Sequence, residues 1–132
     1  MAIVAQTQVK SLLEPWKGQV TTGQHQLMTD KPESFGGHDQ GPAPYDFLLA
    51  GLASCTMITL RMYAAHKEID FGEFTVDTRF IATKEGESIE RTLHFKTALS
   101  EEMQAKVLSI CEKTPVTKTL LRSLTIQTTI VE

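Results

Sequence analysis

The chain has 132 residues, with 13 Lys and Arg against 16 Asp and Glu and a formal charge of −3. That length suits a single domain over residues 1–132, built around one core. With 41% hydrophobic and 22% charged residues it is neither disordered nor collagen-like, and its scattered basic residues exclude the basic stripe of a nucleic-acid or anionic-membrane binder.

The opening Met1-Ala2-Ile3-Val4 has no basic region followed by a long apolar run. This predicts a cytoplasmic protein in reducing surroundings. Its two cysteines, Cys55 and Cys111, are then expected to be core thiols or a transient redox pair rather than a structural staple.

In chain order, residues 2–9 are expected to form a strand, and Gln19 to Thr29, with Gly23 at its centre, a strand or short hairpin arm. The Gly- and Pro-rich stretch from Phe35 to Pro44 reads as a loop. A helix is predicted from Asp46 to about Lys67, uncharged from Phe47 to Leu60. That uncharged run is shorter than the ~20 residues a bilayer requires. A helix apolar all round is expected to be buried, and a homodimer would complete cover that one small chain cannot supply.

Phe74, Val76, Thr78 and Phe80 alternate with polar residues, and Ile89, Arg91, Leu93 and Phe95 do the same beyond a turn at Glu85-Gly86, so an antiparallel hairpin is predicted. Arg91 falls on the apolar parity. Ser100 suits the N-cap of a helix carrying Met103, Val107, Ile110 and Cys111 on one face, and Thr114 with Pro115 suits the start of another. Leu124, Ile126, Thr128 and Ile130 are expected to close the chain as a strand. The whole reads as α+β with an antiparallel sheet.

A thiol inside an apolar helix is hard to ionise unless a cation or hydrogen-bond donors reach it. The loop Gly36, Gly37, His38, Asp39 and Gly41 leads into the Cys55 helix, and is either a plain turn system or a close approach of backbone to a small ligand. No C-x-x-C, H-x-x-x-H, Walker or G-x-G-x-x-G spacing occurs, so no metal or cofactor is expected.

The run from His25 through Asp30-Lys31-Pro32, Gly36-Gly37 and Gly41-Pro42-Ala43-Pro44 to Tyr45-Asp46-Phe47-Leu48-Leu49-Ala50-Gly51-Leu52-Ala53-Ser54-Cys55-Thr56, continuing to Arg61-Met62-Tyr63-Ala64, resembles the OsmC/Ohr family. The resemblance implies an antiparallel sheet wrapped around a long buried central helix in an intertwined homodimer, with Cys55 at the subunit interface. It also implies a peroxidase acting on organic hydroperoxides or hydrogen peroxide in oxidative-stress defence. By that resemblance Cys55 is the attacking thiolate, Cys111 its resolving partner, and an external dithiol the reductant.

The chain departs from the family pattern in three places. No Arg precedes Arg61, although peroxidase-type members carry an activating Arg in their N-terminal strands. The position of that Arg's Glu partner holds Tyr45, with Asp46 alongside, and the second family cysteine, directly before the Pro, is replaced by Thr114. Candidates for tuning the thiolate are therefore Asp46, Tyr45, His25, His38 and Arg91. The alternative is a non-peroxidase dimer whose interfacial pocket binds or traps a small apolar or electrophilic molecule.

Overall fold

The computed structural model describes residues 1–131, and the chain divides into two compact units that meet in sequence at Leu48 and Leu49. The first unit holds a three-stranded antiparallel sheet in the order β1 (Thr7–Ser11), β2 (Gly18–Thr22), β3 (His25–Thr29). The early strand thus begins at Thr7 rather than residue 2, because the ladder exists only where Thr7 to Ser11 find partners from Thr22 back to Gly18. The Gln19–Thr29 segment is two strands folded back on each other, with Thr22 opposite His25.

Beyond β3 the chain turns through a 3₁₀ segment at Glu33–Phe35. This loop is organised by Asp30, 2% exposed, whose carboxylate accepts from the backbone N–H of Lys31 at 2.7 Å, His38 at 3.2 Å and Gln40 at 3.3 Å. Two glycines are sterically required here. A Cβ on Gly37 would stand 2.0 Å from the Lys31 carbonyl oxygen, and one on Gly41 2.1 Å from that of Met28.

Helix α1 (Pro44–His66) starts in the first unit and runs through the second. The Asp46 carboxylate accepts the Ala43 N–H at 2.9 Å while the Asp46 N–H donates to the Ala43 carbonyl at 2.9 Å, a reciprocal cap of the helix start. Pro44 fits the first turn because no donor is required of it there. By length and composition α1 could cross a membrane, so its 23 residues exceed what the uncharged run alone suggests.

In the second unit, α1 is followed by the hairpin β4 (Phe74–Thr83) and β5 (Gly86–Phe95), then α2 (Glu101–Cys111) and α3 (Pro115–Leu120). The hairpin register sets Phe74 opposite Phe95, Val76 opposite Leu93, Thr78 opposite Arg91 and Phe80 opposite Ile89. These inward positions are half-buried, so the period-two reading of both strands holds. Ser100 accepts from the Met103 N–H, and Thr114 from the Thr117 N–H ahead of Pro115, as the local sequence predicts for the two later helices.

The core of this unit is Leu60 and Ala64 of α1, Phe71, and Val107 and Cys111 of α2, with Phe74, Leu93 and Phe95 packed against it. Phe71 meets Phe95 edge-on at 5.6 Å and Phe74 stacks on Phe95 at 5.0 Å. Within one chain α1 is buried along a single stripe, Leu52, Thr56, Leu60 and Ala64, spaced every fourth residue. Met57, Ile58 and Met62 remain exposed.

The predicted strand over Leu124 to Ile130 is absent: this stretch has no regular structure, and Leu124, Ile126 and Ile130 are exposed. Alternation expresses only a preference for a half-buried strand. The ladder itself needs a neighbour, and none pairs with this segment among the described residues.

Candidate functional site

Cys55 lies in the middle of α1, one position before the buried stripe residue Thr56. It is free and half-buried, between exposed Ser54 and the exposed Met57 and Ile58. Thr56 is fully buried and donates its hydroxyl to the Leu52 carbonyl at 2.8 Å. This returns a hydrogen bond to the preceding turn, the usual solution for a threonine inside a helix.

The same Thr56 oxygen accepts from Arg91. The guanidinium, with its side chain 13% exposed, spans four elements: Nη1 donates to Thr56 Oγ1 and to Thr117 Oγ1, each at 2.9 Å, and Nη2 donates to the Cys111 carbonyl at 3.0 Å. Thr117 shares a 2.6 Å hydrogen bond with Thr114, itself fully buried. Glu112 stands 3.9 Å from Nη2, but its side chain is 70% exposed, so most of the cation's solvation comes from neutral oxygens. A buried charge is tolerable when its donors are satisfied in this way.

Cys111 is 2% exposed inside the apolar cluster. Burial pushes its thiol up; the nearby Arg91 charge pulls the other way and Glu112 adds to the rise, with a net shift upward. It is therefore held as the neutral thiol. An open groove of about 460 Å³ runs between β5 and α2, lined by Leu93, Phe95, Leu99, Val107 and Leu108 with Arg91 beside them.

The remaining candidates fall in the first unit. His25 opens β3 on an exposed position, and Tyr45 is exposed in the first turn of α1. Asp46 has its carboxylate in the helix cap, about two and a half turns before Cys55 on α1. His38 gives its backbone N–H to Asp30. Burial is the largest single influence on the Asp30 carboxyl and pushes it up. The three backbone donors and the charge of His38 together outweigh it and hold the group below its ordinary value. Among the described residues no three His, Cys, Asp or Glu side chains gather where they could hold a metal ion.

Of the candidates, the structure brings together Arg91 and Cys111, through the latter's carbonyl. The inward parity of Arg91 was visible in the hairpin pattern. Asp30, Thr56 and Thr117 carried no such mark. Their roles come from contacts eight to thirty-five residues apart in sequence.

Residues 37–129 match the model of the OsmC-like protein family. The chain belongs to that family. Solved structures agree on the fold. An osmotic stress induced and detoxification response protein of Psychrobacter arcticus 273-4 is 19% identical with a TM-score of 0.74, covering 90% of each chain. An OsmC-like protein of Mycoplasma pneumoniae is 19% identical with a TM-score of 0.70, covering 92% of this chain and 89% of its own. An organic hydroperoxide resistance protein of Legionella pneumophila is 21% identical with a TM-score of 0.66, covering 91% and 90%. Among curated proteins none matches the sequence. The OsmC-like fold is thus a small α+β architecture of antiparallel sheets and one long helix.

Proposed function

We propose that this OsmC-like protein is a thiol-dependent peroxidase of oxidative-stress defence, with Cys55 as the attacking group. The observation that carries the reading is a free, half-buried thiol in the apolar middle of α1, in a fold shared with organic hydroperoxide resistance proteins. In the first step the Cys55 thiolate attacks the outer oxygen of a hydroperoxide. The O–O bond breaks, Cys55 becomes a sulfenic acid, and the leaving alkoxide takes a proton to depart as an alcohol.

Met57 and Ile58 give the surroundings of Cys55 an apolar character that suits an alkyl hydroperoxide better than hydrogen peroxide. The exposed apolar side of α1 and the unpaired Leu124–Ile130 stretch support a homodimer as the working form. The second reading, a ligand-binding dimer without peroxidase activity, draws on one observation: Arg91 has both Nη1 hydrogens committed to Thr56 and Thr117, so they do not serve a thiolate.

The deciding experiment is consumption of tert-butyl hydroperoxide and of hydrogen peroxide by reduced protein with dithiothreitol as the reductant. The peroxidase reading expects turnover, faster with the alkyl substrate, that disappears in Cys55→Ser. Equal, negligible consumption by parent and variant would transfer the conclusion to the ligand-binding reading.

A further inference from the structure

We propose that Cys111 is a core thiol locked out of the reaction, and that the sulfenic acid formed at Cys55 is resolved directly by an external thiol. This rests on the peroxidase reading and specifies its second substrate. It departs from the expectation that Cys111 resolves Cys55.

Three observations carry it. Cys111 is 2% exposed and belongs to the apolar cluster of Leu60, Ala64, Phe71 and Val107, closed to solvent. Its backbone is fixed as well. The Cys111 carbonyl is pinned by Arg91, which is itself anchored on Thr56 of α1 and Thr117 of α3, so the end of α2 swings outward only by giving up its hydrogen bond to a guanidinium held in place by two other elements. The third observation is chemical: resolution needs a thiolate, and burial holds Cys111 in its neutral form. Thr114, capping α3, offers a hydroxyl in place of a thiol and is itself fully buried. Cys55, by contrast, is half-buried in the single chain, the less buried of the two thiols.

The cycle then balances with the external thiol as reductant. Its sulfur attacks the Cys55 sulfenic sulfur, the S–O bond breaks, water leaves, and a mixed disulfide remains. A second thiol attacks that bond, returning Cys55 as a thiol and leaving with the first as a disulfide. Two monothiols or the two ends of one dithiol meet the requirement equally, and the experiment separates them.

Reduced protein is treated with one equivalent of tert-butyl hydroperoxide, and its intact mass and peptide map are read before and after adding either 2-mercaptoethanol or dithiothreitol. The proposal expects one added oxygen on Cys55, the same in Cys111→Ala and in Cys111→Val, the latter keeping the core filled. 2-Mercaptoethanol at one equivalent should leave a mixed disulfide on Cys55, and dithiothreitol should return the free thiol without one accumulating. Loss of two hydrogens mapped to a Cys55–Cys111 bond, or a covalent dimer through Cys55, would overturn the proposal while leaving the peroxidase reading intact. An unchanged mass in parent and variants would overturn both.

Discussion

Cys55 and Cys111 belong to the same compact unit, yet they differ in burial and in the polar groups that hold their backbones. Cys55 stands on the flank of α1 with exposed methionine and isoleucine next to it and no clamp on its own backbone beyond the helix. Cys111 ends α2 inside the apolar cluster, its carbonyl held by a nearly buried guanidinium. The difference teaches that a count of cysteines does not define a redox pair; access and the polar groups that fix each backbone do. Arg91 is the centre of that contrast, since it restrains one thiol and only neighbours the other through Thr56.

The comparison can be broken most severely at Arg91. Arg91→Met should cost about 3–5 kcal/mol in urea unfolding, because Thr56, Thr117 and the Cys111 carbonyl lose a charged donor in a site where water is scarce. Arg91→Lys should recover part of that loss, since one ammonium cannot reproduce the fork. Retention of full stability in the Met variant would mean the knot is ornamental.

Leu60→Ala addresses the apolar wall beside Cys111. Leu60 is fully buried, so the cavity should cost about 2–4 kcal/mol and make Cys111 more accessible to a thiol reagent, while Cys55 labelling changes little. Thr117→Val is gentler: it removes one acceptor of Arg91 and the partner of Thr114, with an expected loss of about 1–2 kcal/mol by thermal denaturation.

The smallest effect concerns the other buried charge, Asp30, which organises the loop of the first unit. Its folded carboxyl titrates below its unfolded value of about 4, so its stabilising contribution is complete above that pH and is lost as pH falls through the lower, folded value. In Asp30→Asn, stability should be lower near neutrality and should fall less than the parent's between pH 4 and 2, followed by circular dichroism. Parallel acid profiles would remove Asp30 from the account.

Much of the fold was legible because its signals are local. Ser100 and Thr114-Pro115 mark helix starts within a few residues, and the alternation around Arg91 already points that side chain inward. The site was legible only in part. That Arg91 is inward follows from period two, but that it meets Thr56 and Thr117, 35 and 26 residues away, depends on how α1, α2 and α3 pack, which no local pattern encodes. The closing strand failed for a related reason: Leu124, Ile126 and Ile130 carry the right alternation, yet alternation does not supply a ladder partner.

The most direct test of the contrast between the two thiols is their native-state alkylation with iodoacetamide, rate-resolved by peptide mass, in the parent and in Arg91→Met. In the parent, Cys55 should react clearly faster than Cys111, which is 2% exposed in the apolar cluster. Arg91→Met should narrow the gap while leaving Cys55 near its original rate: freeing the end of α2 exposes Cys111, and that gain in access outweighs the loss of the Arg91 charge, which by itself pushes the Cys111 thiol further up. Equal rates in the parent, or a Cys111 rate indifferent to the loss of Arg91, would contradict the contrast.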